Sequence, residues 1–234
     1  MFFEMRKNFF ITGTDTGVGK TFVAAAFVEA LRKAGFDVGV MKPVETGCAE
    51  SGGELVPGDA LKLKEAARTS DPLDLINPYR FAAPVAPCVA ASMEDREIEI
   101  DKIAEAFNVL SKRHDFMVVE GAGGLMVPLT PTKTFIDLLS ILKIPVIIVA
   151  PSRLGVINHT LLTVEAARRG GIDVAGIILN NPALSRGSDL SGETNAEVIE
   201  RFSGAPLLAE LPFIKEKPPY KYVRGFVEQL TSGG

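Results

Sequence analysis

Cysteine is scarce in this 234-residue sequence: only Cys48 and Cys88 occur, far apart, with no CxxC spacing and no neighbouring histidine pair. That excludes a disulfide framework and a zinc site, and both thiols are expected to be free in a reducing compartment. A surplus of positive charge is also missing. Lys and Arg total 25 against 29 Asp and Glu, giving a net charge of −4 and a pI near 5.4, so nucleic acid is not expected as a partner. Long hydrophobic runs are absent too. The longest, Ile144–Ala150, falls far short of the roughly 20 residues that a spanning helix needs. The start, Met1-Phe-Phe-Glu-Met-Arg-Lys7, lacks the apolar stretch and small-residue cleavage site of a secretory signal, so no membrane association and a cytoplasmic location are expected. No repeat, low-complexity tract or linker interrupts the chain, which implies one domain over residues 1–234.

What is present is a 47% hydrophobic composition arranged as short apolar runs alternating with stretches of helical period. Strands are predicted at Asn8–Thr12, Asp37–Met41, Asp115–Glu120, Ile144–Ala150, Val174–Asn180 and Pro206–Glu210. Several are apolar at consecutive positions, as expected when helices cover both faces of a parallel sheet. Between them, Val23, Ala26, Phe27, Ala30, Leu31 and Ala34 share one helical face that Gly35 can terminate in the left-handed conformation. Ile100–Arg113, Thr134–Leu142, Val156–Arg169 and Ser191–Phe202 have the same period. The implied architecture is an α/β fold with a mostly parallel central sheet flanked by helices. Asp71–Ala91, with four prolines, is expected to be an ordered excursion off the sheet edge. Glu94–Glu99 is expected to be a solvated loop, and Lys215–Pro219 a charged, proline-rich one.

The first predicted strand runs into Gly13-Thr-Asp-Thr-Gly-Val-Gly-Lys-Thr21 and then a helix, the context of a phosphate-binding P-loop. Its glycines let backbone N–H groups point at phosphate oxygens, and the helix N-terminus adds positive potential. Lys20 is placed against the β and γ phosphates and the Thr21 hydroxyl on Mg²⁺. Five residues rather than four separate Gly13 from Gly19. Glu120 ends the strand Phe116–Val119 before Gly121-Ala-Gly-Gly124, at the end of the sheet where ligands bind, and is the best candidate for a second metal ligand. Asp59, opening Asp59-Ala-Leu-Lys-Leu-Lys64, suits either a helix cap or a ligand. Lys42, ending the second strand, is either a solvated lysine or a second cation for the transferring phosphate.

These residues together resemble the dethiobiotin synthetases, and the resemblance runs along essentially the whole chain. It is carried by Thr12–Thr21 with its five-residue gap, Lys42-Pro-Val44, Asn77-Pro-Tyr79, Val119–Gly124, Leu154-Gly-Val-Ile-Asn-His159 and Asn180. The resemblance implies a P-loop enzyme of biotin synthesis that takes 7,8-diaminononanoate, CO₂ and ATP. An amine takes up CO₂ as a carbamate, ATP phosphorylates it, and the other amine closes a ureido ring. It further implies Thr21, Asp59 and Glu120 as Mg²⁺ ligands and Lys42 and Lys20 as the catalytic cations. ATP contacts would come from Gly17, Val18, Gly19, Lys20, Thr21 and Phe22, from Asp59, from Glu120, Gly121, Ala122 and Gly123, and from Asn180, Pro212, Phe213 and Ile214. Substrate contacts would come from Thr14, Lys42 and Thr46, and from Gly155, Val156, Ile157 and Asn158 at the start of a helix lent by the partner in a homodimer. His159 is expected to be structural. Ala86 and Cys88 replace the Ser and His of many relatives, which puts substrate affinity rather than reaction type in question.

Two other classes compete. Cobyrinate-type amide synthetases share the phosphate loop but append a glutamine-hydrolysing domain for which 234 residues leave no room. MinD/ParA-like nucleotide switches carry an early lysine where this chain has Thr12-Gly13-Thr14.

Overall fold

A computed structural model describes residues 7–181, 190–215 and 220–231. The elements in chain order are β1 (Asn8–Gly13), α1 (Lys20–Lys33), β2 (Val38–Met41), β3 (Val44–Thr46), β4 (Ala49–Ser51) and β5 (Glu54–Val56), then α2 (Gly58–Ala67), α3 (Leu73–Ile76), β6 (Tyr79–Phe81), α4 (Pro87–Met93) and α5 (Ile100–Ser111). There follow β7 (Phe116–Glu120), α6 (Phe135–Leu142), β8 (Val146–Pro151), α7 (Val156–Arg169), β9 (Val174–Asn180), α8 (Leu190–Ser203), β10 (Leu207–Leu211) and α9 (Arg224–Thr231).

The six strands predicted from apolar runs are the six strands of one parallel sheet, ordered β10-β9-β8-β1-β7-β2. Their sequences are continuously apolar because both faces are covered. On β1, Phe9 and Ile11 face a layer with α1 and α9, where Phe9, Phe27 and Phe226 meet edge-on and stacked. Phe10 faces the opposite layer and packs on Phe135 of α6, with α5, α7 and α8 beside it. Each fully buried side chain of this size contributes about 1.5–3 kcal/mol, so the sheet and its two layers carry most of the stability.

Local signals set the helix ends. Gly35 takes φ +97° and ends α1 as expected. Thr134 caps α6: its Oγ1 accepts from Ile136 N at 3.2 Å while its own N–H donates to Asp137 Oδ2 at 2.7 Å. β8 starts at Val146 rather than Ile144, since Pro145 has no N–H to give to the ladder.

Crossover order creates the crevice. The chain leaves β1 through α1, passes over the slot that β7 later fills, and forms β2 at the edge. Ile11 then pairs with Glu120, and Met41 with Val119. Lys42 and Glu120 therefore leave the sheet side by side, next to the loop that follows β1.

Beyond the C-terminal end of β2 lies a small second layer that periodicity does not predict. β3 pairs with β6 in parallel and β4 with β5 in an antiparallel hairpin. The Asp71–Ala91 excursion is ordered, as expected, and supplies α3, β6 and the start of α4. Glu94–Glu99 is the loop expected, with Asp95, Arg96, Glu97 and Glu99 exposed, but it is tied to the layer beneath. Ile98 is buried, Glu94 Oε1 accepts from Ala82 N at 2.9 Å, Arg96 lies over the Phe81 ring, and Glu99 N donates to the Tyr79 hydroxyl at 2.9 Å. A segment that is polar by composition is here a strap over β6, because its few apolar and aromatic partners lie elsewhere in the sequence. Most of the Lys215–Pro219 stretch lies outside the described residues. Among the described residues no helix is long and apolar enough to cross a membrane.

Candidate functional site

The phosphate loop is held in shape by its glycines and by two distant contacts. Gly17 and Gly19 take φ of +76° and +91°, values that a side chain resists. A Cβ at Gly19 would also lie 2.2 Å from Asn180 Nδ2. Asn180, at the end of β9, donates to Val18 O at 2.8 Å, so this predicted nucleotide-contacting residue braces the loop directly. Lys20 Nζ donates to Asp15 O at 3.2 Å across the loop. Burial, then the nearby Lys42 cation, lowers its pKa to about 8.

Lys42 is the hub. Its Nζ donates to Glu120 Oε1 at 2.6 Å, to Gly121 O at 3.2 Å and to Asp59 Oδ2 at 3.3 Å. Thr21 Oγ1 donates to the same Glu120 oxygen at 2.8 Å. Burial opposes the charge on Lys42, yet Glu120 and Asp59 outweigh it and hold the pKa above the usual lysine value. The carboxyl of Asp59, which burial would raise, is held below its usual range mainly by Lys42. The reading of Lys42 as a solvated strand-end lysine is thus excluded: its side chain is 4% exposed and that of Glu120 0%.

These groups line a cleft of about 600 Å³ together with Thr16, Thr46, Glu45, Lys62, Ala122 and Gly123. The Pro84–Pro87 loop forms its far wall, where Ala86 offers no hydroxyl. Thr21, Asp59 and Glu120 suit a small hard cation. They supply oxygen donors only, and Glu120 Oε2 is a buried acceptor with no partner. Among the described residues no group of three or more His, Cys, Asp or Glu is arranged to hold a metal ion by itself. Two carboxylates and a hydroxyl would leave coordination positions for phosphate and water.

The other predicted residues are distributed differently. Gly121 packs on the Phe10 ring behind the cleft, where a Cβ would come within 2.8 Å. Phe22 is half-buried and faces a groove between α1 and α2. Thr14 lines a second cavity of about 520 Å³ beside the first, with Asp15, Met126 and His159, and its buried Oγ1 has no partner. Pro212, Phe213 and Ile214 follow β10 and do not reach the 600 Å³ cleft. Gly155, Val156, Ile157 and Asn158 open α7 but also do not line that cleft in this chain. Cys48 is buried and Cys88 half-buried, both as free thiols.

Two residues given no role from sequence support the site. Asn77, fully buried, donates from Nδ2 to Lys42 O at 2.7 Å and to Tyr79 O at 3.1 Å, while Lys42 N donates to Ile76 O at 2.8 Å. Glu45, also buried, accepts from Asp59 N and Ala60 N. Asn77 lay within the Asn77-Pro-Tyr79 block already noted; nothing local signals Glu45.

A phosphate loop opening a helix, a strand-end carboxylate facing it and a parallel sheet reversing at that point define a P-loop nucleotide-binding α/β protein. The AAA-domain family matches residues 7–218. Solved structures agree on the fold alone: a ParA family ATPase from Chlorobium tepidum TLS (TM-score 0.55, 15% identity, covering 95% of this chain and 98% of that one) and the MinC:MinD complex of Aquifex aeolicus (TM-score 0.58, 14% identity, 97% and 96%). Sequence relatives are closer. Proteins named ATP-dependent dethiobiotin synthetase BioD are 48% identical over 207 residues in Anaeromyxobacter dehalogenans strain 2CP-C (88% of this chain, 90% of that one) and 42% identical over 219 residues in Thermodesulfovibrio yellowstonii (91% of both). One from Bacillus licheniformis is 39% identical over 213 residues (91% and 88%). This chain belongs to the dethiobiotin synthetase family.

Proposed function

We propose that the chain is an ATP-dependent cyclo-ligase of the cytoplasm that closes the ureido ring of dethiobiotin from 7,8-diaminononanoate and CO₂, with residues 1–234 acting as one domain. The observation that carries it is the convergence of Lys42, Lys20 and the Thr21–Glu120–Asp59 oxygens in one cleft beside the phosphate loop. A reaction that brings a carbamate anion against ATP must offset the repulsion of two anions. Two buried lysines at the meeting point do that and hold the near-attack geometry.

In this reading the loop amides of Gly17–Thr21 and Lys20 hold the phosphates. Thr21, Asp59 and Glu120 hold Mg²⁺, which supplies charge neutralisation at the phosphates. Lys42 orients the carbamate oxygen toward the γ-phosphorus. The carbamate oxygen displaces ADP from the γ-phosphorus to give a carbamic-phosphoric anhydride. The second amine then attacks the carbamoyl carbon, gives up a proton, and phosphate leaves as the ring closes. Asn180 and Pro212–Ile214 border the nucleotide base, and Thr14 and Thr46 contact the diamine. The first turn of α7, Gly155–Asn158, stands away from its own chain's cleft, which suits a homodimer in which it holds the substrate carboxylate of the partner's site.

The test is an assay of the purified protein with diaminononanoate, bicarbonate and MgATP. Diamine-dependent phosphate release together with dethiobiotin by mass spectrometry is expected; phosphate release indifferent to the diamine, with no dethiobiotin, would sink the proposal.

A further inference from the structure

We propose that Glu45 is a positioning residue, which sets Asp59 in the cleft by capping α2 from a distance. The proposal rests on Asp59 being a metal ligand as read above. α2 follows Pro57 and has no side-chain cap of its own, so the N–H groups of its first turn need acceptors from elsewhere. Glu45 supplies them: Oε1 accepts from Asp59 N at 2.8 Å and Oε2 from Ala60 N at 2.9 Å. One carboxylate thereby fixes the backbone of Asp59 itself.

The chain path does not do this. Between β3 and α2 the connection is the β4–β5 hairpin, turning on Gly52 and Gly53 at φ +62° and +81° with its tip exposed. Such a hairpin tethers α2 without setting its angle. A serine or threonine just before α2 would cap the helix as well, without burying a charge. The carboxylate on β3 adds a link between two parts of the site. Lys42, three residues earlier on the same segment, reaches Asp59 Oδ2 at 3.3 Å through its side chain while Glu45 holds the same residue through its backbone. Strand end and helix start are thus locked to one another at the point where both face Glu120.

Glu45→Gln tests it, because an amide keeps the shape but turns an NH₂ toward one of the two N–H donors. Mn²⁺ binding would be measured by electron paramagnetic resonance with a non-hydrolysable ATP analogue, beside the Mg²⁺ dependence of turnover. Glu45→Gln is expected to weaken Mn²⁺ about tenfold, the low end for losing a group that orients a metal ligand. Its kcat should return to within about twofold of the parent at saturating Mg²⁺, which a general folding defect would not permit. Glu45→Asp, which keeps the charge with a shorter reach, should fall between parent and Glu45→Gln, and it carries the test if Glu45→Gln does not fold. Asp59→Asn separates the two ideas. If it weakens Mn²⁺ while both Glu45 variants bind as the parent does, the positioning role is overturned. If Asp59→Asn also binds Mn²⁺ normally, Asp59 is not a ligand, and the positioning role falls with it.

Discussion

Replacing Lys42 by methionine keeps most of the side-chain volume and removes the charge, so it isolates what the ammonium contributes. The parent pair is short, 2.6 Å from Nζ to Glu120 Oε1, and sealed, with side chains 4% and 0% exposed. Without Lys42, Glu120 retains one donor, the Thr21 hydroxyl on Oε1, while Oε2 already has none. Removing one partner of a buried ion pair costs about 3–5 kcal/mol, because the remaining charge is left in a medium that cannot solvate it. For a chain of this size that corresponds to a fall in Tm of about 6–20 °C, at roughly 2–4 °C per kcal/mol. The assay is urea denaturation of the nucleotide-free protein, comparing Cm at constant m. Lys42→Met with Glu120→Gln should be less destabilised than the sum of the single changes, by about 2 kcal/mol or more, since the second change removes the stranded charge. A Lys42→Met variant within 1 kcal/mol of the parent, or strict additivity in the cycle, would refute the picture of a desolvated pair. If Lys42 also meets the transferring phosphate, kcat should drop about 10²–10³-fold even below the melting temperature.

Three further outcomes follow from the same geometry. Gly19→Ala should abolish MgATP binding by calorimetry, since it places a Cβ 2.2 Å from Asn180 Nδ2 at φ +91°; a dissociation constant within threefold of the parent would contradict this. Asn77→Ala should lower stability by about 1–3 kcal/mol in urea, as it strands the Lys42 and Tyr79 carbonyls, and a change below 0.5 kcal/mol would count against that role. Asp71→Asn bears on pH. Burial would raise the Asp71 carboxyl, but Thr69, His114 and Arg113 outweigh it and hold it below its usual range. Its contribution is therefore complete above the unfolded value near 4 and is lost as pH falls through the lower folded value. The stability gap between parent and Asp71→Asn, about 1–3 kcal/mol at pH 7, should narrow below pH 4; a gap constant down to pH 2 would disprove this assignment.

Much of the frame was legible because its signals are local. Apolar runs marked all six strands of the main sheet, Gly35 marked the end of α1, and the glycines of Gly13–Thr21 marked the phosphate loop. Boundaries slipped by a residue or two where a proline, such as Pro145, shifts the start of hydrogen bonding. The three-residue strands β3 to β6 stayed invisible, since pieces that short carry no period and exist only because they pair. The exposed loop at Glu94–Glu99 was legible, but its ties to Phe81 and Tyr79 were not, since they join separate segments.

Sequence alone determined the parallel α/β frame, the phosphate loop, and Lys42, Asp59 and Glu120 as candidates, because residue type and spacing encode backbone preference and chemistry. Tertiary structure decided what those candidates are to one another. Only the insertion of β7 between β1 and β2 sets Glu120 beside Lys42 and Thr21, and only the fold of the 42–81 segment recruits Asn77 and Glu45 to hold Lys42 and Asp59. Strand order and long-range hydrogen bonds join residues tens of positions apart, and no local preference encodes such a contact. It forms because a buried charge without its partner costs several kcal/mol.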